Sequence, residues 1–230
     1  MQPHDREPTD LPASSAFLFD LDGTLVDSVY QHVLAWREAL AACGIELSVW
    51  RIHRRIGMSG GLMANAILRE TGHQVGTEEA AQLLKYHAEA YARQAGQVRP
   101  LPGACELLAY LSKARIPWTN ATSARLDSAR PTLEVLGIGP EVPVVTRDQV
   151  AHAKPDPDLF LEAARRLGVE ITSAFVVGDS VWDLLAARRA RALGIGLLSG
   201  GYGEEELERA GAYRVYEVHP SKAYLASWIA

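Results

Sequence analysis

Four short groups of residues, far apart in the chain, hold side chains of types that do chemistry together. They are Asp20-Leu21-Asp22-Gly23-Thr24, Ala121-Thr122-Ser123, Lys154-Pro155, and Gly178-Asp179-Ser180 followed by Asp183. Their combination fits phosphoryl transfer. Carboxylates at 20 and 179 are hard oxygen donors suited to Mg2+, which neutralises phosphate charge. Attack by the Asp20 carboxylate would give an acyl phosphate for water to hydrolyse. Asp22 would protonate the departing oxygen and then activate that water. Thr122 supplies a hydroxyl donor and Lys154 a positive charge for the phosphoryl oxygens, with Ser123 as a further phosphate contact. Asp183 falls four residues after Asp179, in the first turn of an expected helix. There it would orient the metal's ligands or waters.

Each group alone has an ordinary reading. An Asp-x-Asp pair marks many turns, Thr122 and Ser123 would cap a helix, and Lys154 would sit on the surface. The chemical reading rests on their order and on their placement at the ends of strands.

Bringing such distant segments together requires a particular scaffold. Ala16 to Phe19 is a short apolar run ending in a polar cluster, as expected of a buried parallel strand that delivers Asp20 to its C-terminal edge. Gly23 then lets the chain turn. After Pro100 and Pro102 helices and strands alternate. Helices are expected over 104–114, 127–136 (disturbed or started by Pro131), 158–167 and 182–190. Strands are expected over 116–121, 142–146, 174–177 and 193–197. That alternation favours a parallel sheet. Between the first strand and this region the chain reads as helical. Val29, Val33, Trp36 and Leu40 mark one amphipathic helix, Leu62, Met63, Ala66 and Ile67 a second, and 78–95 a third. Gly57, Gly60 and Gly61 mark a loop. The expected fold is therefore α/β: a Rossmann-like parallel sheet core over 15–27 and 98–230, an inserted all-helical cap over 28–97, and a flexible leader over 1–14. An insertion at that point sits over the sheet edge where open α/β sheets bind ligands.

The bulk composition agrees. The 230 residues are 48% hydrophobic and 22% charged, with a net charge of -5 and no basic block that would suggest nucleic-acid binding. The N-terminal segment lacks the apolar run of a signal peptide or membrane helix. Cys43 and Cys105 form no metal-ligand pattern and suit a reducing compartment. A soluble cytoplasmic protein, monomer or homodimer, is expected.

The run Phe19-Asp20-Leu21-Asp22-Gly23-Thr24-Leu25-Val26-Asp27-Ser28 resembles the first motif of the haloacid dehalogenase-like superfamily of hydrolases. Thr122 resembles its second motif, Lys154 in Ala-Lys-Pro-Asp-Pro-Asp its third, and Asp179 with Asp183 its acidic fourth. The resemblance implies Asp20 as nucleophile, Asp22 as acid/base, and Mg2+ held by Asp20, Asp179 and the backbone carbonyl of Asp22. Its helical-cap subgroup includes phosphoglycolate phosphatases, sugar-phosphate phosphatases and beta-phosphoglucomutases. Dehalogenating members usually lack the second aspartate, so Asp22 argues against that activity. A phosphonatase-type cap lysine has no counterpart motif around Lys85. Mutase caps place an arginine near the position taken here by Gly60 or Gly61, so a single-phosphate substrate is the better expectation. A sugar-phosphate mutase and a non-catalytic metabolite-binding module are the alternatives. Substrate specificity is expected from the cap loop, at Arg54, Arg55, Met58 and Ser59, and from Arg125 beside the second motif. The expected partner is a small phosphorylated metabolite.

Overall fold

A computed structural model describes residues 15–73, 76–139 and 141–217. The expected leader, 1–14, and residues 218–230 lie outside them. The core is a parallel sheet of β1 (Ala16–Phe19), β4 (Trp118–Ala121), β5 (Val144–Val145), β6 (Ala174–Gly178), β7 (Leu193–Leu197) and β8 (Ala212–Tyr216). Its spatial order is β5-β4-β1-β6-β7-β8. Both neighbours of β1 arrive later in the chain, so three of the chemical groups emerge side by side. Phe19 is level with Asn120 on one side and Val177 on the other.

Side chains on β1 alternate between two apolar layers, as the two-residue period of a strand requires. Phe17 and Phe19 pack with Leu107, Leu111 and Leu133 from α5 (Ala104–Lys113) and α6 (Leu126–Val135). Leu18 packs on the opposite face with Leu159, Phe160 and Ala187 from α7 (Asp158–Leu167) and α8 (Val181–Ala190). The chain thus carries a strand buried on both faces, which explains the unbroken apolar run of its sequence.

The inserted cap is helical: α1 (Val29–Ala42), α2 (Val49–His53), α3 (Gly60–Glu70) and α4 (Thr77–Gln94). It has its own core, in which Val33, Trp36 and Leu40 meet Ile52, Met63, Ile67 and Leu83. Its two connections to the sheet run side by side. β2 (Val26–Asp27) pairs antiparallel with β3 (Arg99–Pro100), and Leu101 N donates to Leu25 O at 2.9 Å. The cap is therefore joined to the core through one narrow two-strand ribbon.

Several elements differ from expectation. The strand expected over 116–121 begins at Trp118, and that expected over 142–146 shrinks to two residues. α6 continues through Pro131, which starts no new element. Gly60 and Gly61, expected in a loop with Gly57, open α3 instead. α2, the two-strand ribbon, α9 (Glu204–Ala210) and β8 were not anticipated. All are short, and β8 is a polar edge strand, AYRVY, without a continuous apolar run.

Candidate active site

The sheet places Asp20 one residue after β1, Thr122 one after β4 and Asp179 one after β6. Each backbone is pinned there: Asp20 N donates to Val177 O and Thr122 N to Val145 O, both at 2.9 Å. Lys154 comes from the loop before α7, ahead of a cis peptide bond to Pro155. Its side chain is fully buried over the Phe160 ring. It pairs with Asp20 Oδ1, and its Nζ lies 2.8 Å from Asp183 Oδ1. Asp183 enters from the first turn of α8, held by a reciprocal cap: its Oδ2 accepts from Ser180 Oγ at 2.6 Å and from Ser180 N at 3.1 Å.

Asp20, Asp179 and Asp183 bring carboxylate oxygens within 4.8 Å of one another, all of them buried. Burial and the neighbouring carboxylates push Asp20 up to about 7, against the pull of Lys154. Burial, then Asp183 and Asp20, push Asp179 well above the usual carboxylate range. Burial opposes the charge on Lys154, yet Asp183 and Asp20 hold it above the ordinary lysine value. Lys154 thus pairs with two of the three carboxylates and leaves Asp179 without a cation beside it. An oxygen-lined pocket with surplus negative charge fits a hard divalent cation. The backbone leaves it room: a side chain on Gly23, whose φ is +86°, or on Gly200 would run into the Asp179 carboxylate. Thr24, unassigned from sequence, steadies that group through its Oγ1, which donates to Asp179 Oδ1 at 3.0 Å.

Asp22 points elsewhere. Ser28 Oγ donates to its Oδ1 at 2.6 Å, and His32 Nε2 lies 3.3 Å from the same oxygen. Burial raises its proton affinity, but His32 and Ser28 overcome this and hold the carboxyl below its ordinary pKa. His32 Nδ1 in turn lies 3.2 Å from His87 Nε2. Burial, then the nearby His32, push His87 down to about 3, so it is neutral. A neutral His87 donating to His32 would leave the His32 Nε2–H directed at Asp22. Ser28 and His87 were missed in the sequence because their partners lie 6 and 55 residues away. His32 lies beside Val33 in the first cap helix.

Thr122 Oγ1 accepts from Ala124 N at 3.0 Å, which leaves its own proton to donate. Ser123 Oγ donates to Gly57 O at 3.2 Å, across to the cap. Ser59 is buried, with its N donating to Lys154 O at 3.3 Å. Met58 and Arg125 line a cavity of about 410 Å3 between cap and core, together with Asp20, Asp22 and Thr122. The structure places Arg54 against Glu206 and Arg55 against Glu70, outside the residues lining that cavity.

The family model of the haloacid dehalogenase-like hydrolases matches residues 15–191. The chain belongs to this family of hydrolases. A crystal structure of a hydrolase from Pseudomonas syringae is similar to this hydrolase with a TM-score of 0.86 and 55% identity, over 89% of this chain and 94% of that one. Hexitol phosphatase A of Escherichia coli is 35% identical over 76% of this chain and 78% of its own. A phosphoglycolate phosphatase of Agrobacterium fabrum is 32% identical over 84% of each. Among the described residues no helix is long and apolar enough to cross a membrane.

Proposed function

We propose that this hydrolase is a Mg2+-dependent phosphatase that cleaves a small phosphorylated metabolite through an aspartyl-phosphate at Asp20. The observation that carries the reading is the buried meeting of Asp20, Asp179 and Asp183 with a single lysine. Mg2+ would be held by Asp20, Asp179 and the backbone carbonyl of Asp22, and would supply charge neutralisation to the phosphoryl group. Asp183 positions Lys154 and, through it, Asp20. Lys154 and the Thr122 hydroxyl bind phosphoryl oxygens, with Ser123 alongside. Asp20 attacks phosphorus in line with the leaving oxygen, which Asp22 protonates. Asp22 then takes a proton from the water that hydrolyses the acyl phosphate.

The tether on Asp22 favours its ionised form, which suits the step that takes a proton from water. Ser28 and His32 both contact Oδ1 from the base and first helix of the cap. Seating the cap therefore seats the acid/base. The helical cap is taken to run over 28–97, and its closure would exclude water during phosphorylation. The two free cysteines suit a cytoplasmic setting.

The relatives do not single out one substrate: one is named for hexitol phosphates and another for phosphoglycolate, at similar identity. The test is phosphate release from a broad panel of phosphorylated metabolites with and without Mg2+, beside an Asp20→Asn protein. Mg2+-dependent release lost in the variant supports the reading. No release across the panel overturns it. Isomerisation of a sugar phosphate without net release would favour the mutase instead.

A further inference from the structure

The cavity above the nucleophile has two unlike walls. Its cap wall is formed by Trp36, Met58, Leu84, His87 and Tyr91, with Gly60 and Gly61 between them. Among the described residues, no lysine or arginine of the cap lines it. The nearby cap arginines are engaged elsewhere. Arg54 pairs with Glu206 and lies 4.2 Å from the centre of the Tyr202 ring, and Arg55 pairs with Glu70 and donates to Arg51 O at 2.6 Å. Burial keeps His87 neutral and Tyr91 protonated, and His32, the remaining titratable cap group on the cavity, has its Nε2 turned to the Asp22 carboxylate at 3.3 Å.

Instead the wall presents flat rings. Trp36 and His87 stack with centroids 4.5 Å apart, and His32 and Tyr91 stack at 4.0 Å and 4°. Such an apolar lining, with Met58 and Leu84, packs against the C–H groups of a polyol or sugar, and of the imidazole nitrogens His87 Nδ1 is the one outside the Asp22–His32–His87 chain. A carboxylate or second phosphate held there would lose its water without gaining a counter-charge. The arginines that do line the cavity sit on the core rim, where Asp148 accompanies them. Arg147 is tied to Val150 O at 2.9 Å, and Arg125 faces the Asp148 charge.

Building on the phosphatase reading, we infer that the cap wall selects phosphate monoesters whose leaving group is uncharged and hydroxyl-bearing, over those carrying a carboxylate or a second phosphate. Gly61 is the position that can reverse this choice. A Cβ built there meets nothing within 4 Å, whereas one on Gly60 would come within 2.7 Å of Leu84 Cδ2. Gly61→Arg therefore introduces the missing cation with little steric cost.

The experiment compares kcat/KM for phosphate release, with Mg2+, between two sets of substrates. Glycerol phosphate and a hexitol phosphate form the uncharged set, and phosphoglycolate and phosphoglycerate the carboxylated set. Wild type is expected to favour the uncharged set by roughly a hundredfold. Gly61→Arg is expected to narrow the gap by about tenfold, and Gly61→Ala to preserve it. Equal or better turnover of the carboxylated set by wild type overturns the inference and leaves the phosphatase reading standing. So does an unchanged ratio in a folded Gly61→Arg protein. Release from neither set, nor from a broader panel, overturns the phosphatase reading and the inference together. If the arginine variant does not fold, the wild-type preference decides.

Discussion

On the core side of the cavity, charge is concentrated, buried and mutually held. On the cap side, among the described residues, no lysine or arginine lines the cavity, and stacked rings take their place. The core wall is built from strand ends whose positions are set by the sheet ladder, so its groups cannot drift apart. The cap wall is built from α1, α4, Met58 and the start of α3, and the cap reaches the core through a ribbon of two short strands. Chemistry that is the same for every phosphate monoester suits the first wall. Recognition that differs from one leaving group to the next suits the second, because it can change without disturbing the nucleophile.

The sharpest way to break this division is to remove the nucleophile. Asp20→Asn should lower kcat by roughly 10^4-fold or more for every substrate alike. Trp36→Ala, on the cap wall, should instead change kcat/KM by about 10- to 100-fold and unequally between substrates. Steady-state phosphate release separates the two. A Trp36 effect as large and as uniform as that of Asp20 would erase the distinction between the walls.

The next effect is on stability. Lys154→Met leaves Asp20 and Asp183 facing each other without their buried cation, and should cost about 3–5 kcal/mol in urea unfolding. Losses below about 1 kcal/mol would show that the core charges are not coupled as the geometry implies.

The core wall was legible in the sequence because Asp20, Thr122 and Asp179 stand next to strand ends, and a parallel sheet has few ways to arrange them. Asp20, Asp22, Thr122, Lys154 and Asp179 each had an ordinary local reading, and only their order and joint placement singled them out. Asp183 was placed in the first turn of a helix, and that is where it lies. What the local pattern could not give was its pairing with Lys154, 29 residues away in sequence. The cap was legible only as helices. Its period of three to four marks which face is buried, but not which buried side chain meets the core. Arg54 and Arg55 drew notice as cations in a loop, yet their partners Glu206 and Glu70 are set by tertiary packing. His87 gave no signal because its partner, His32, lies on another helix.

The walls should also respond to acid with opposite sign. In the metal-free protein, burial and like charge raise Asp20 from 3.8 to about 7. Its contribution to stability is therefore full below 3.8 and is lost as pH rises through about 7. Burial lowers His87 from 6.5 to about 3, so its contribution is full above 6.5 and is lost as pH falls toward 3. Each is worth up to about 1.4 kcal/mol per pH unit within its window. Asp20→Asn should steepen the loss of stability on acidification, and His87→Leu should flatten it. Chemical denaturation at a series of pH values measures both, and slopes that move together would refute the assignment. Mg2+ must compete with protons for the same carboxylates, so the rise in Tm that it produces should shrink as pH falls below about 7.

The smallest effect concerns the seam between the walls. Arg54 pairs with Glu206, with the two side chains 35% and 43% exposed, a geometry worth about 0.2–1 kcal/mol. Arg54→Ala should therefore hardly alter global unfolding. The same seam, however, includes Tyr202 Oη donating to Arg54 O at 3.0 Å and His53 Nε2 donating to Gly200 O at 2.8 Å. Gly200 backs directly onto Asp179. Loosening the arginine should thus be felt on both sides of the seam at once. Amide hydrogen exchange should rise together in residues 53–59 and 198–206, while β1 and β6 remain protected. A rise confined to the cap loop would mean that Arg54 merely orders its own loop. A paired rise would make the seam a mechanical link between the cap and the loop that packs against Asp179, placed where the variable wall meets the fixed one.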